Sequence, residues 1–102
     1  MRPVLHGDVS NVARALLNVP HHLRQGLCTR IIREAQAADI YARRHGGLHP
    51  LWGNGSLMSA ARKRMLAAEP TFEDVEYCAC FEMVLHQLIE WRVSRTHKKC
   101  IW

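Results

Sequence analysis

Hydrophobic residues recur along this chain at the three- and four-residue spacing of amphipathic helices, and no segment sustains the alternation expected of a strand. The first apolar stripe includes Val12 and Leu16 and predicts a helix over about 8–18, with Asp8 as its N-cap. Pro20 ends this helix because proline lacks an amide hydrogen and disfavours helical geometry in the residue before it.

A second helix is predicted over about 21–44. Its stripe of small and apolar side chains includes Cys28, Ile31 and Ala35, and most of its charged residues lie outside that stripe. The sequence Arg-Arg-His-Gly-Gly at 43–47 is typical of a helix end, because cations favour the carbonyl end and glycine adopts the left-handed C-cap conformation.

An ordered loop is predicted at 45–55, where two glycine clusters bracket a His-Pro pair and a tryptophan. We expect Trp52 to pack this loop against the helices. Ser56 then begins a third, shorter helix over about 56–68, which Pro70 follows and ends.

The last predicted helix, over about 72–95, is the most apolar. Thr71 and Asp74 have the spacing of a capping box at its start. Apolar residues cover well over half of its circumference, and such a helix is usually central to its fold or covered by a partner. We therefore predict that it lies in the middle of the fold and that one side forms an interface, with a homodimer as one form. The interface residues are predicted to be Phe81, Leu85, Leu88 and Trp91.

These elements predict an all-α fold of about four helices in a single domain, with a basic tail at 96–102 that we expect to fray. The 102 residues suffice for one hydrophobic core, and 48% hydrophobic with 23% charged residues is the composition of a folded chain. No stretch is long and apolar enough to span a membrane, and the first ten residues lack the apolar region of a secretion signal. We expect a cytoplasmic protein with no membrane association.

The net charge of +5, with histidines neutral, favours acidic partners weakly. The basic residues form clusters, and phosphate contacts from such clusters would bind nucleic acid without sequence specificity. These residues are Arg43, Arg44, Arg62, Lys63, Arg64, Arg92, Arg95, Lys98 and Lys99. Acidic residues gather at the start of the last helix, so two oppositely charged faces are the alternative interpretation.

Seven histidines and four cysteines suggest a metal site, but their spacing shows neither C-x-x-C nor H-x-x-x-H pairing. On a helix, Cys78 and Cys80 point about 200° apart and cannot easily share one ion. No nucleotide-binding loop or nucleophile-base pattern stands out either. We therefore predict no metal, no cofactor and no enzymatic activity, with the cysteines reduced and packed.

The glycine-rich loop offers one candidate anion site. The sequence Gly-Asn-Gly-Ser precedes a helix N-terminus, whose unpaired amides attract negative charge. The residues of this site would be His49, Asn54, Gly55 and Ser56. The same residues also suit a plain connector, in which Asn-Gly turns the chain and Ser56 caps the helix. Burial of His49 and Trp52 with satisfied polar groups would favour the connector.

Three stretches of the chain carry a family resemblance: RPVLHGDVSNVARALL at 2–17, HPLWGNGSLMSAA at 49–61 and EYCACFEMVLHQLIEWR at 76–92. In these stretches the chain resembles a family of short alphaproteobacterial proteins of unknown function. The resemblance implies a bacterial, cytoplasmic, helical domain and assigns no activity, cofactor or site residue.

The leading functional hypothesis is a non-enzymatic protein that acts through a protein partner, which the sequence does not identify. The alternative is a nucleic-acid-associated accessory protein that uses the basic clusters. A third hypothesis is a small protein that binds an anion or a metal.

Overall fold

The computed structural model describes the backbone of residues 1–99. Within that range the protein has four α-helices and no strand, which confirms the predicted all-α fold in one small domain. The helices are α1 (His6–Leu17), α2 (His21–His45), α3 (Leu57–Ala61) and α4 (Val75–Lys99). None of these helices is long and apolar enough to cross a membrane. Residues 100–102 of the predicted tail lie outside the described residues.

Helix α1 occupies the centre of the fold, so the prediction that the last helix is central was wrong. All three other helices pack against α1, and its residues Val12, Ala13 and Leu16 are fully buried. Helix α4 supplies one stripe to the core, formed by Tyr77, Cys80, Val84 and Leu88. The remaining apolar surface of α4 is not needed to cover α1, and much of it faces solvent.

Polar side chains of α1 are also buried, and each has a partner. Asn11 Nδ2 donates to the carbonyl oxygen of Gly7 (2.7 Å), and its Oδ1 accepts from Arg62 Nε (3.3 Å). The hydroxyl groups of Ser10 and Tyr77 lie 3.2 Å apart. Because an unpaired buried polar group is costly, these contacts fix α1 against the rest of the chain in one arrangement.

The start of α1 differs from the prediction: the helix begins at His6, and its N-cap is Leu5 rather than Asp8. Asp8 lies at the third helical position, where its Oδ2 accepts the amide hydrogen of Leu5 (2.9 Å). A carboxylate in the first turn can satisfy the N-cap amide from inside the helix. Asp8 was therefore predicted to be the N-cap residue, whereas it is the residue that accepts the hydrogen of the N-cap amide.

The carbonyl end of α1 is held by Arg24 of α2. Its Nε donates to the carbonyl oxygens of Leu16 (2.9 Å) and Val19 (3.2 Å), and its Nη2 lies 3.6 Å from a carboxylate oxygen of Glu76. A cation is favourable at this end of a helix. The sequence pattern placed Arg24 outside the apolar stripe, but the structure buries it because its acceptors lie on another helix.

Helix α2 matches its predicted bounds closely, since it begins at His21 and ends one residue after 44. Gly46 closes it in the left-handed conformation (φ 69°), and its amide donates to the carbonyl oxygen of Ala42 (2.8 Å). The predicted glycine C-cap is confirmed.

Helix α3 ends at Ala61, so its predicted extent to 68 was wrong. Residues 62–74, which we call the strap, are not helical and contact α1. Arg14 Nε donates to the carbonyl oxygen of Ala67 (2.8 Å), and the Ala67 amide donates to the Arg14 carbonyl oxygen (3.2 Å). These tertiary hydrogen bonds override the helix propensity of the first part of this stretch, Arg-Lys-Arg-Met-Leu-Ala-Ala at 62–68. Met65, in the middle of this stretch, is 80% exposed.

Helix α4 begins at Val75, three residues later than predicted, and continues to Lys99 rather than ending near 95. Asp74 Oδ1 accepts the amide hydrogen of Tyr77 (3.1 Å), so Asp74 caps the helix. The Thr71 hydroxyl accepts the amide hydrogen of Glu73 (3.4 Å) instead of that of Asp74, whose amide donates to the Thr71 carbonyl oxygen (3.1 Å). The predicted capping box starting at Thr71 was therefore wrong.

Candidate functional site

The glycine-rich loop has partners for its polar groups within the chain. His49 Nδ1 accepts the amide hydrogens of Leu51 (3.0 Å) and Trp52 (3.1 Å). The His49 ring stacks on Trp52 with centroids 4.5 Å apart and meets Tyr41 edge-on at 5.0 Å. Both His49 and Trp52 are half-buried. His49 therefore closes the turn, a role that its position in the sequence did not reveal.

The amides around the start of α3 also have acceptors. Asn54 Oδ1 accepts the Ser56 amide (3.0 Å), and Ser56 Oγ accepts the Ser59 amide (3.1 Å), as expected for a Ser56 N-cap. The Met58 amide donates to Asp8 Oδ1 (2.9 Å). A carboxylate of the chain thus occupies part of the position predicted for an anion. The anion site stays a prediction, and the contacts of the loop are explained without a ligand.

Beneath the loop lies Asp39 of α2, which is buried. The amino group of Met1 lies 3.3 Å from its carboxylate, and Arg43 also binds it. Burial acts to raise the pKa of Asp39, but the hydrogen bond and charge of the terminal ammonium, together with Arg43, outweigh burial and lower that pKa. Asp39 therefore stays ionised and ties the first residues of the chain to α2.

Several of the predicted nucleic-acid residues have partners inside the protein. Arg64 Nη2 binds Glu34 (2.8 Å), and Arg62 Nε donates to Asn11 (3.3 Å). Arg43 is paired with Asp39, as described above. These arginines support the fold, which reduces the basic surface that remains for phosphate groups.

Four other basic residues of this set are exposed: Arg44, Lys63, Arg92 and Arg95. Arg92 and Arg95 place their guanidinium groups 5.2 Å and 4.6 Å from the ring centroid of Trp91. Arg44 lies on the surface near the end of α2, and Lys63 lies on the surface near the start of the strap. Lys98 and Lys99 belong to α4, but their side chains are outside the described part of the chain.

Two of the cysteines are buried thiols. Burial, with a smaller contribution from Cys80, raises the pKa of Cys28 to about 12. Burial also raises the pKa of Cys80, although the charge of Arg24 opposes that shift. Cys78 is half-exposed, and its Sγ donates to the carbonyl oxygen of Phe72 (2.9 Å). Within residues that the structure describes, no three metal-binding side chains come together.

Thiol reactivity should follow this burial. In a variant with Cys100→Ser, a disulfide reagent at neutral pH is expected to modify Cys78 first. Cys28 and Cys80 should react on the order of 100-fold more slowly than in denaturant, because the reactive thiolate is suppressed and access requires opening of the core. Peptide mass spectrometry over time gives the three rates. Equal rates for Cys80 in the native and denatured protein would contradict the burial described here.

Helix α4 has a second apolar face, which the described chain leaves exposed. Leu85, Ile89 and Val93 are 44%, 61% and 60% exposed, and Phe81 is half-buried at one edge of the same row. Their four-residue spacing places them along one side of the helix. We call the surface formed by Phe81, Leu85, Ile89 and Val93 the outer face of α4.

The predicted interface residues divide between the two faces of α4. Phe81 and Leu85 belong to the outer face. Leu88 is buried in the core, and Trp91 is partly buried and packs against the core, as Phe81 also does at the edge of the outer face. At about 100° per residue, positions 88 and 91 are rotated from Leu85 by roughly 60° and 120° in the direction opposite to Ile89, which brings both against the core. Ile89 and Val93 were missed because the sequence does not say which apolar face meets the core.

Two depressions flank the outer face. The smaller, about 360 Å³, is lined by four large apolar side chains together with Cys78, Glu82 and His86; the apolar ones are Phe72, Phe81, Leu85 and Ile89. Phe72 is 56% exposed and meets the Phe81 ring edge-on at 5.1 Å. The larger, about 820 Å³, is a groove between α2 and α4, where Gln87 is hydrogen-bonded to Thr29 (2.9 Å). The smaller depression extends the apolar surface, whereas the groove carries side chains of both charges.

A small all-helical domain with an exposed apolar helix face is the class of protein that these features define. The chain belongs to a family described as a domain of unknown function, DUF7742, whose model matches residues 2–88. The match covers α1, α2 and α3 and ends within α4. No curated protein and no solved structure matches the chain.

Proposed function

We propose that this protein is not an enzyme and acts by binding another protein chain through the outer face of α4. The observation that carries this proposal is the exposed row of Leu85, Ile89 and Val93, on a helix whose opposite face already supplies the core. Monomeric proteins rarely expose contiguous apolar surface, and where they do it commonly marks a contact site. A homodimer is one form of this function.

The outer face is also held in a fixed shape, which favours binding. On the opposite side of α4, Tyr77 and Val84 are fixed in the core, and Gln87 is hydrogen-bonded to α2. A surface that is ordered before binding loses less conformational entropy when it meets its partner. The resemblance described above further supports a bacterial and cytoplasmic setting for this proposal.

Ile89→Glu is expected to abolish binding while leaving the fold intact. Ile89 is 61% exposed, so the change should alter the free energy of unfolding by no more than about 0.5 kcal/mol, whereas a carboxylate buried in an apolar interface is strongly unfavourable. The measurement is chemical cross-linking and purification of the tagged protein from its host, followed by quantitative mass spectrometry.

The matched control is Ser94→Glu, which adds the same charge at an exposed position of α4 that borders the groove instead. Chains bound by the wild type and by Ser94→Glu, but lost with Ile89→Glu, support the proposal. The same bound chains in all three samples would contradict it.

Nucleic-acid association is the second candidate, favoured by the exposed Arg92 and Arg95, whose guanidinium groups both lie over the Trp91 ring. Contacts of this kind would be sensitive to salt, because phosphate binding releases counterions. Exposed Arg44 and Lys63 are better positions for charge reversal than Arg64, whose partner is Glu34. A mobility shift at low salt that disappears on raising the salt supports this candidate, and no shift at low salt removes it.

A further inference from the structure

We infer that the outer face of α4 binds a second copy of this chain, with the two α4 helices antiparallel about a twofold axis level with position 87. This inference rests on the proposed function and names its partner. The first argument is the apolar row itself. Phe81 and Val93 lie equally far from position 87, as do Leu85 and Ile89. An antiparallel pair therefore sets Leu85 against Ile89 of the second copy, and Phe81 against its Val93.

The second argument is charge. Glu82 and Arg92 are exposed, and each lies five positions from 87 on opposite sides. In the antiparallel pair Glu82 of each copy faces Arg92 of the other, which gives two contacts of opposite charge. A parallel pair would instead set Glu82 against Glu82 and Arg92 against Arg92, and like charges across an interface are unfavourable.

The charge of the whole helix agrees with this direction. Glu76 and Glu82 lie in the N-terminal half of α4, and Glu69, Glu73 and Asp74 of the strap precede the helix. The C-terminal half carries Arg92, Arg95, Lys98 and Lys99, with Glu90 as its acidic residue. Antiparallel pairing brings the two ends together. The two oppositely charged regions noted in the sequence thus become the two halves of one self-complementary surface.

The third argument is shape. The depression of about 360 Å³ beside Phe81 lies toward the N-terminal half of the outer face. In the antiparallel pair, Val93 of the second copy lies over this depression. Each copy therefore fills the depression of the other with its Val93 side chain. Antiparallel helices that pack at a shallow angle approach to about 8–10 Å between their axes. Glu82 and Arg92, three positions outside Leu85 and Ile89, then lie along the same seam as these two residues.

Charge reversal tests both the partner and the direction. Glu82→Arg alone and Arg92→Glu alone each create two like-charge contacts, so each variant should dimerise roughly tenfold more weakly or worse than the wild type. An equal mixture of the two variants should form a heterodimer, because one chain then carries both cations and the other both carboxylates. The double variant should recover the wild-type affinity. Sedimentation equilibrium at low salt over a series of concentrations measures all of these.

Arg30→Glu is the matched control, since it makes the same charge change at an exposed position of α2 and should leave dimerisation unchanged. Both test positions on α4 are exposed, and circular dichroism confirms that each variant is folded. If both single variants dimerise with the wild-type affinity, or if they do not associate when mixed, the antiparallel pair is overturned. If the wild type is a monomer but binds another protein in an Ile89-dependent way, the second copy is not the partner and the proposed function still holds. A monomer with no Ile89-dependent partner overturns both.

Discussion

Replacing Gly55 with alanine is expected to lower the free energy of unfolding by about 3 kcal/mol or more. Gly55 has φ 94°, a conformation that side chains rarely adopt. A Cβ added there would lie 2.7 Å from the Cα of Asp39 and 3.0 Å from its amide nitrogen. These are backbone atoms inside α2, so they cannot move aside as the end of a flexible side chain could.

Gly26→Ala is the control for this substitution. Gly26 lies inside α2 with nothing within 4 Å of an added Cβ, so alanine should stabilise the protein by about 0.5–1 kcal/mol. Urea denaturation of both variants, followed by circular dichroism, gives the two changes. Equal stability of Gly55→Ala and the wild type would show that the close approach of the loop to α2 is not as described.

Asp8→Ala is expected to lower the free energy of unfolding by about 2–4 kcal/mol. Asp8 is buried and accepts two amide hydrogens, from Leu5 through Oδ2 and from Met58 through Oδ1. Alanine would leave both amides without this acceptor and would remove a direct link between α1 and α3. Denaturant unfolding monitored by tryptophan fluorescence and by circular dichroism measures the loss.

Asp8→Asn separates the hydrogen bonds from the charge. Asparagine keeps one oxygen that can accept the Met58 amide, so its loss of stability should be clearly smaller than that of alanine. A change of less than about 0.5 kcal/mol for Asp8→Ala would contradict the bridge, since that is the range of an ordinary surface substitution.

The parts of the fold that the sequence predicted are those with local signals. Pro20 and Gly46 mark helix ends through their own backbone preferences, and Ser56 marks a start through its own side chain. The strap could not be predicted in this way. The strap is hydrogen-bonded to Arg14 and Asn18, which are 53 and 47 residues away in the chain from the carbonyl groups that they bind. A local sequence pattern does not show these bonds, and it therefore predicted a helix.

The candidate site was partly predictable for a related reason. The apolar excess of α4 indicated that part of its apolar surface stays uncovered, and Leu85 is exposed and Phe81 half-buried on that surface, although their role in an interface stays a prediction. Two apolar faces of one helix are equivalent in a sequence pattern, however. The contact of Leu88 with the core decides between them, and that contact depends on how α1 packs.

The central position of α1 bears on the order in which the chain can fold during its synthesis. The groups that satisfy its polar side chains come much later: Met58 is 50 residues beyond Asp8, and Tyr77 is 67 residues beyond Ser10. A twelve-residue helix has little stability by itself. Helix α1 therefore gains most of its stability from segments that lie later in the chain, and the core is complete only when α4 packs against it. Because core and outer-face positions alternate along α4, the step that packs Tyr77, Val84 and Leu88 into the core also sets Leu85, Ile89 and Val93 on the surface.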